Sequence, residues 1–205
     1  MKNLKAFFAH RIFKILKWVI FILVGSFIIL VVIRIFHFIN VQKTTDQIVK
    51  IHSTKLSIDD VMGKNLPPDP GLEADKTIQG IDANSNGIRD DVELAIFKEY
   101  PKSAKTRAVL LQYALSLQMM ATQPFVNEEI ATAVAEKDSQ SYDCIGEIIP
   151  RSDGDLEKIK ILRNFIENKQ LNTEVRNNLK TDFDNKTRSF ELKTGCDINL
   201  LSLKN

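Results

Sequence analysis

Residues 80 to 93, GIDANSNGIRDDVE, crowd Asp82, Asn84, Asn86, Asp90 and Glu93 around Gly87. Oxygen donors at this density suit a hard divalent cation, and calcium takes six to eight of them at about 2.3–2.6 Å. In a twelve-residue loop they come from positions 1, 3, 5, 7, 9 and 12. Counted from Asp82, these are Asp82, Asn84, Asn86, the backbone carbonyl of Ile88, Asp90 directly or through a water, and Glu93 as a bidentate ligand. Gly87 falls at the sixth position, where the chain turns sharply and positive φ is wanted. Magnesium is disfavoured, because a flexible seven-oxygen loop suits the larger ion. The alternative is a polar Asx/Gly turn in which Asp90 caps a helix and no ion binds.

The surroundings of this loop depart from a paired EF-hand. Pro67, Pro68, Pro70 and Gly71 interrupt any helix leading into it, Arg89 stands at position 8 where an apolar residue would pair with a sister loop, and no second such loop exists. The pattern is closer to lone DxDxDG-type loops of extracellular proteins. Only Asp82, Asp90 and Glu93 bring charge, which implies an affinity matched to extracellular calcium of roughly 10⁻⁴–10⁻³ M. LPPDPG followed by GIDANSNGIRDDVELAI, with SAKTRAVLLQYALSLQ and a cysteine pair further on, resembles a group of uncharacterised bacterial exported or membrane-anchored proteins. The resemblance covers roughly residues 66 to 200. It implies a helical domain outside the cytoplasm with Asp82, Asn84, Asn86, Asp90 and Glu93 as its calcium residues, and no assigned activity.

A loop that needs extracellular calcium requires a route out of the cytoplasm. WVIFILVGSFIILVVI, residues 18 to 33, carries no charge, and the apolar character resumes after Arg34 as far as Ile39. About 20 such residues in a helix span the hydrocarbon layer, with Arg34 able to snorkel to the interface. A cleaved signal peptide is the competing reading. Its apolar region is shorter and ends at small residues, whereas RIFHFINV offers bulky ones. Lys2, Lys5, Arg11, Lys14 and Lys17 precede the span with no acidic residue before Asp46, which favours the N-terminus inside. The expected location is the inner membrane, crossed once, with the C-terminal domain in the periplasm. The lipid bilayer is then one partner, through residues 18–39. The net charge of +2 is small once the basic end is set aside, so nothing suggests nucleic-acid binding.

Both cysteines, Cys144 and Cys196, follow the span, and neither belongs to a metal-ligand pattern. In an oxidising compartment an even pair reads as a disulfide, worth about 4 kcal/mol in the chain-entropy model. Two unrelated buried thiols are the alternative.

The fold class expected is all-α: a transmembrane helix, then a small helical bundle headed by the calcium loop. Residues 1–17 form a basic cytoplasmic segment, 18–39 the anchor, 40–66 a tether with loose helical spacing, and 67–205 the exported domain. Within it, one helix follows the loop and stops at Tyr100 before Pro101. A second is capped by Ser103 and is central. A third opens at Pro124 and breaks around KDSQSYDCIGEIIP. A fourth runs from Ser152 to about Lys169, and a fifth from Thr173 buries Val175, Leu179, Phe183 and Phe190 and ends at Gly195.

The function classes narrow mainly through what the domain lacks. His10, His37 and His52 all lie in or near the anchor, and there is no GxSxG, P-loop or HExxH. Glu128 and Glu129 are adjacent on a helix and diverge, so they read as a solvated face, not as a glycosidase pair. The expectation is therefore a non-enzymatic, calcium-stabilised binding or adaptor protein with an envelope-protein partner. A periplasmic immunity-type protein blocking a toxin, and an envelope hydrolase using carboxylates, are the alternatives.

Overall fold

The computed structural model describes residues 2–149 and 155–203, with side chains from Phe13 onward. Every regular element among the described residues is helical. The chain divides into two compact units, residues 1–46 and 47–205.

The first unit is carried by α1, Lys2–Ser53, whose last turns belong to the second unit. Trp18, Phe21, Ile28, Ile33 and their neighbours are all exposed, so the helix is apolar on every side. That pattern is what a membrane-spanning helix carries. Among the described residues this is one helix long and apolar enough to cross a membrane. The Ser26 hydroxyl donates to the Leu23 carbonyl at 2.9 Å, so the polar group in mid-span is satisfied by its own helix.

The second unit begins at Gln47, which shifts the expected boundary. Residues 40–66 are not a simple tether: Ile51, Leu56 and Val61 are buried in the main core. Helix α2, Ile58–Met62, explains how so short a piece holds. Ser57 and Asp60 form a reciprocal capping box, and Gly63 closes the other end at φ 68°. A side chain at Gly63 would also strike the Phe97 ring. Past it, the irregular proline-rich stretch leads into a single 3₁₀ turn, Gly71–Asp75, with Ala74 buried.

Five more helices complete the unit: α3 (Asp90–Glu99), α4 (Ala104–Thr122), α5 (Glu128–Glu147), α6 (Asp155–Gln170) and α7 (Glu174–Lys186). Helix α4 is central, as its composition suggested. It packs against α2, α3, α5, α6 and α7, and Val109 to Met120 are buried on all sides. Ser103 caps it through the Thr106 N–H and Thr173 caps α7 through the Arg176 N–H, both as expected.

Three expectations need correction. Helix α5 opens at Glu128, not Pro124, because Asn127 caps it by accepting from the Ile130 N–H. It then runs unbroken through KDSQSYDC to Glu147: Ser139 and Ser141 bond carbonyls of their own helix, and Cys144 and Ile145 are buried on its inner stripe. Helix α7 ends at Lys186, so Phe190 and Gly195 lie beyond it on an irregular strap, residues 187–199. The expected start of the fourth helix at Ser152 falls outside the described residues.

Candidate functional site

Short-range side-chain chemistry shapes the loop ahead of α3. Asp82 accepts from the N–H groups of Asn86 (3.1 Å) and Gly87 (2.9 Å), and the Asn86 Oδ1 accepts from the Ile88 N–H (2.9 Å). These Asx-type bonds fold the chain back on itself. They also require left-handed backbone at Ser85 (φ 57°) and Gly87 (φ 84°). Asp90, at the head of α3, accepts from the Ala83 N–H with both carboxylate oxygens, at 3.0 and 3.1 Å. Its own N–H donates to the Ile81 carbonyl at 2.9 Å, which closes the loop onto the helix.

Two charges in this arrangement lack a counterpart. Asp90 is 0% exposed and Glu93 1%. Neither forms an ion pair with any described residue. Burial pushes the Glu93 carboxyl up to about 7, and burial likewise raises Asp90. An ionised carboxylate out of water is costly unless paired, and a cation in the loop would supply the pairing. The Asn86 Nδ2 is buried with no hydrogen-bond acceptor, while its Oδ1 is held by the Ile88 N–H.

The sequence-nominated ligands are adjacent, but their donor atoms do not all converge. Among the described residues, no group of three or more His, Cys, Asp or Glu side chains is set to hold a metal. Asn84 turns its amide nitrogen, not its oxygen, toward Glu93 at 3.0 Å, and also donates to the Asn65 carbonyl at 2.9 Å. An ion would thus need the amide oxygens and the Ile88 carbonyl beside the carboxylates. The chemistry of that donor set fits calcium, while the hydrogen-bonded arrangement is the alternative turn.

Sequence reasoning missed what anchors the loop. Arg89, the anomalous position 8, is 0% exposed. Its guanidinium is bidentate to Asp91 at 2.5 and 2.8 Å and donates to the carbonyls of Lys169 (2.7 Å) and Gln170 (3.3 Å) at the end of α6. Those carbonyls have no partner within their helix, so Arg89 caps α6. Gly80 is glycine because the Arg89 stem crosses it: a Cβ there would lie 2.4 Å from the Arg89 Cδ. Arg176 on α7 does the same upstream, donating to the carbonyls of Ala74, Thr77 and Ile78 and to Asp75. The α6–α7 corner therefore takes the place that a sister loop would have. An arginine at position 8 was the one available signal.

At the opposite flank, Cys144 on α5 and Cys196 on the strap form the expected disulfide, with Cα atoms 4.9 Å apart. The strap is also stitched along its length by its own N–H groups. Those of Arg188, Lys193 and Gly195 donate to Thr132, Ser139 and Asp143 on α5, and that of Asp197 to Gln112 on α4.

The chain matches no protein-family model, no curated protein and no solved structure. Its function is therefore argued from this geometry alone.

Proposed function

We propose that this is a single-pass, membrane-anchored binding or adaptor protein whose helical unit faces the periplasm and is stabilised by calcium in the loop 82–93. The observation that carries the reading is the pair of fully buried carboxylates, Asp90 and Glu93, which no described lysine or arginine pairs. A bound calcium ion would take oxygens from Asp82, Asn84, Asn86, Ile88, Asp90 and Glu93 and neutralise that buried charge. The positive flank of α1 supports the orientation, and the disulfide fits an oxidising compartment. The ion's role is structural. It would tie the loop to α3, and through Arg89 to the end of α6, giving an envelope partner a rigid surface. No catalytic step is assigned.

The test is thermal unfolding of the full chain in detergent, with millimolar calcium and with chelator. Calcium should raise the midpoint by several degrees, as binding to the native state alone requires. Asp82→Ala with Glu93→Ala should abolish the shift. A midpoint indifferent to calcium overturns the metal reading and leaves the polar turn.

A further inference from the structure

Between α5, α6 and the strap lies a cavity of about 520 Å³, far along the chain from the calcium loop. That volume is in the range of small-molecule sites. Asp138 of α5 reaches into it, with Tyr142, Arg163, Asp184 and Phe190 around it.

Asp138 is an underused charge. Its carboxylate accepts one long hydrogen bond, from the Ser116 hydroxyl at 3.5 Å, and no described lysine or arginine forms an ion pair with it. Burial raises its pKa, the charges of Arg163 and Lys180 oppose the rise, and Glu167 and Asp184 add to it. Of the other charged groups on the lining, Arg163, Asp184 and Asp143 are already committed, and Lys193 adds a second cation. Arg163 donates to the Tyr113 hydroxyl at 3.2 and 3.1 Å and to Glu167 at 3.0 Å. Its guanidinium also lies 5.3 and 5.1 Å from the ring centres of Tyr113 and Tyr142, within cation–π range of both. Asp184 holds Lys180 at 2.8 Å, and Asp143 accepts from the Gly195 N–H at 2.8 Å. Asp138 is left without an ion pair in a chamber whose apolar wall is Phe190, Leu192 and the Tyr142 ring, with Ser139, Thr187, Lys193 and Thr194 also on its lining.

A metal ion would want six or more oxygens and finds one carboxylate without an ion pair, with Arg163 and Lys193 on the same lining. A compact ammonium needs only that carboxylate, and an apolar body attached to it would lie against the rings. We infer that this cavity binds a small primary amine with an apolar or aromatic body, its ammonium on Asp138 and its body against Tyr142 and Phe190. The inference does not depend on the calcium reading.

The test is calorimetric titration of the full chain in detergent micelles with 2-phenylethylamine, 2-phenylethanol and 3-phenylpropionate. The amine should bind about tenfold tighter than the alcohol, the gain of one charge-assisted hydrogen bond, and the carboxylate should not bind. Asp138→Asn should reduce the amine to the level of the alcohol, with micelle partitioning the same in both proteins. Phe190 stands on the irregular strap, so Phe190→Ala is a second variant that spares the helical core; it should weaken the amine several-fold. Equal binding of amine and alcohol overturns the proposal, as does amine binding that neither substitution alters.

Discussion

The loop 80–93 and the strap 187–199 are both irregular segments of the same helical unit, yet they are held by opposite means. In the loop, most hydrogen bonds join residues two to seven positions apart, among them Asp82 to Asn86, Asn86 to Ile88 and Ala83 to Asp90. In the strap, main-chain N–H groups reach side chains more than fifty positions away, on α5 and α4, and a disulfide spans 52 residues. Local bonds form wherever the sequence carries the right side chains. Distant ones form only after the helices have brought their partners near. The loop is thus a local structure that tertiary contacts position, and the strap is a structure that tertiary contacts create.

The exception within the loop gives the largest effect. Arg89→Met keeps the stem but removes the guanidinium that caps α6 and pairs with Asp91. It should cost about 3–5 kcal/mol, measured by denaturant unfolding of the full chain, because the buried Gln170 carbonyl and the half-buried Asp91 carboxylate lose their partner. A loss below about 1 kcal/mol would make the loop self-sufficient and break the contrast from that side.

Next comes the strap. Cys144→Ser with Cys196→Ser should lower stability by about 2–4 kcal/mol, the range for opening a loop of this size. It should also raise amide exchange in residues 187–199 far more than in 80–93. If both segments exchange alike, the strap does not depend on the bridge. The calcium-dependent melting of the proposed site sharpens the same comparison, since Asp82→Ala with Glu93→Ala should leave strap exchange unchanged.

The smallest effect is at Thr132. Thr132→Val removes the hydroxyl that accepts from the Arg188 N–H at 3.1 Å on an exposed stretch. A change of about 0.5–1 kcal/mol in the unfolding free energy is expected, because water can replace that acceptor. A larger loss would mean that the strap folds as a cooperative part of the core.

Much of this was legible beforehand for a physical reason. Ser103 and Thr173 read as helix starts because capping is decided within three residues. The apolar run from Trp18 and the central place of α4 follow from composition alone. Asn127 competed with Pro124 for the start of α5, and the side-chain cap won. The tether was misjudged because Ile51, Leu56 and Val61 show no firm periodicity and are buried by a core assembled from elsewhere. Arg89 and Arg176 were missed because a buried arginine depends on carbonyls that no nearby residue reveals.

By itself the sequence determined the membrane-length apolar helix, the helical composition, the caps, and the cluster of oxygen donors with glycine among them. These rest on interactions within a turn or two, or on the transfer of a side chain out of water. Only the tertiary structure decided that Arg89 would close the end of α6, that the strap would lie along α5, and that Asp138 would line a cavity without an ion pair. Each joins residues far apart in the chain, whose meeting is set by the packing of helices around α4 and not by any local preference.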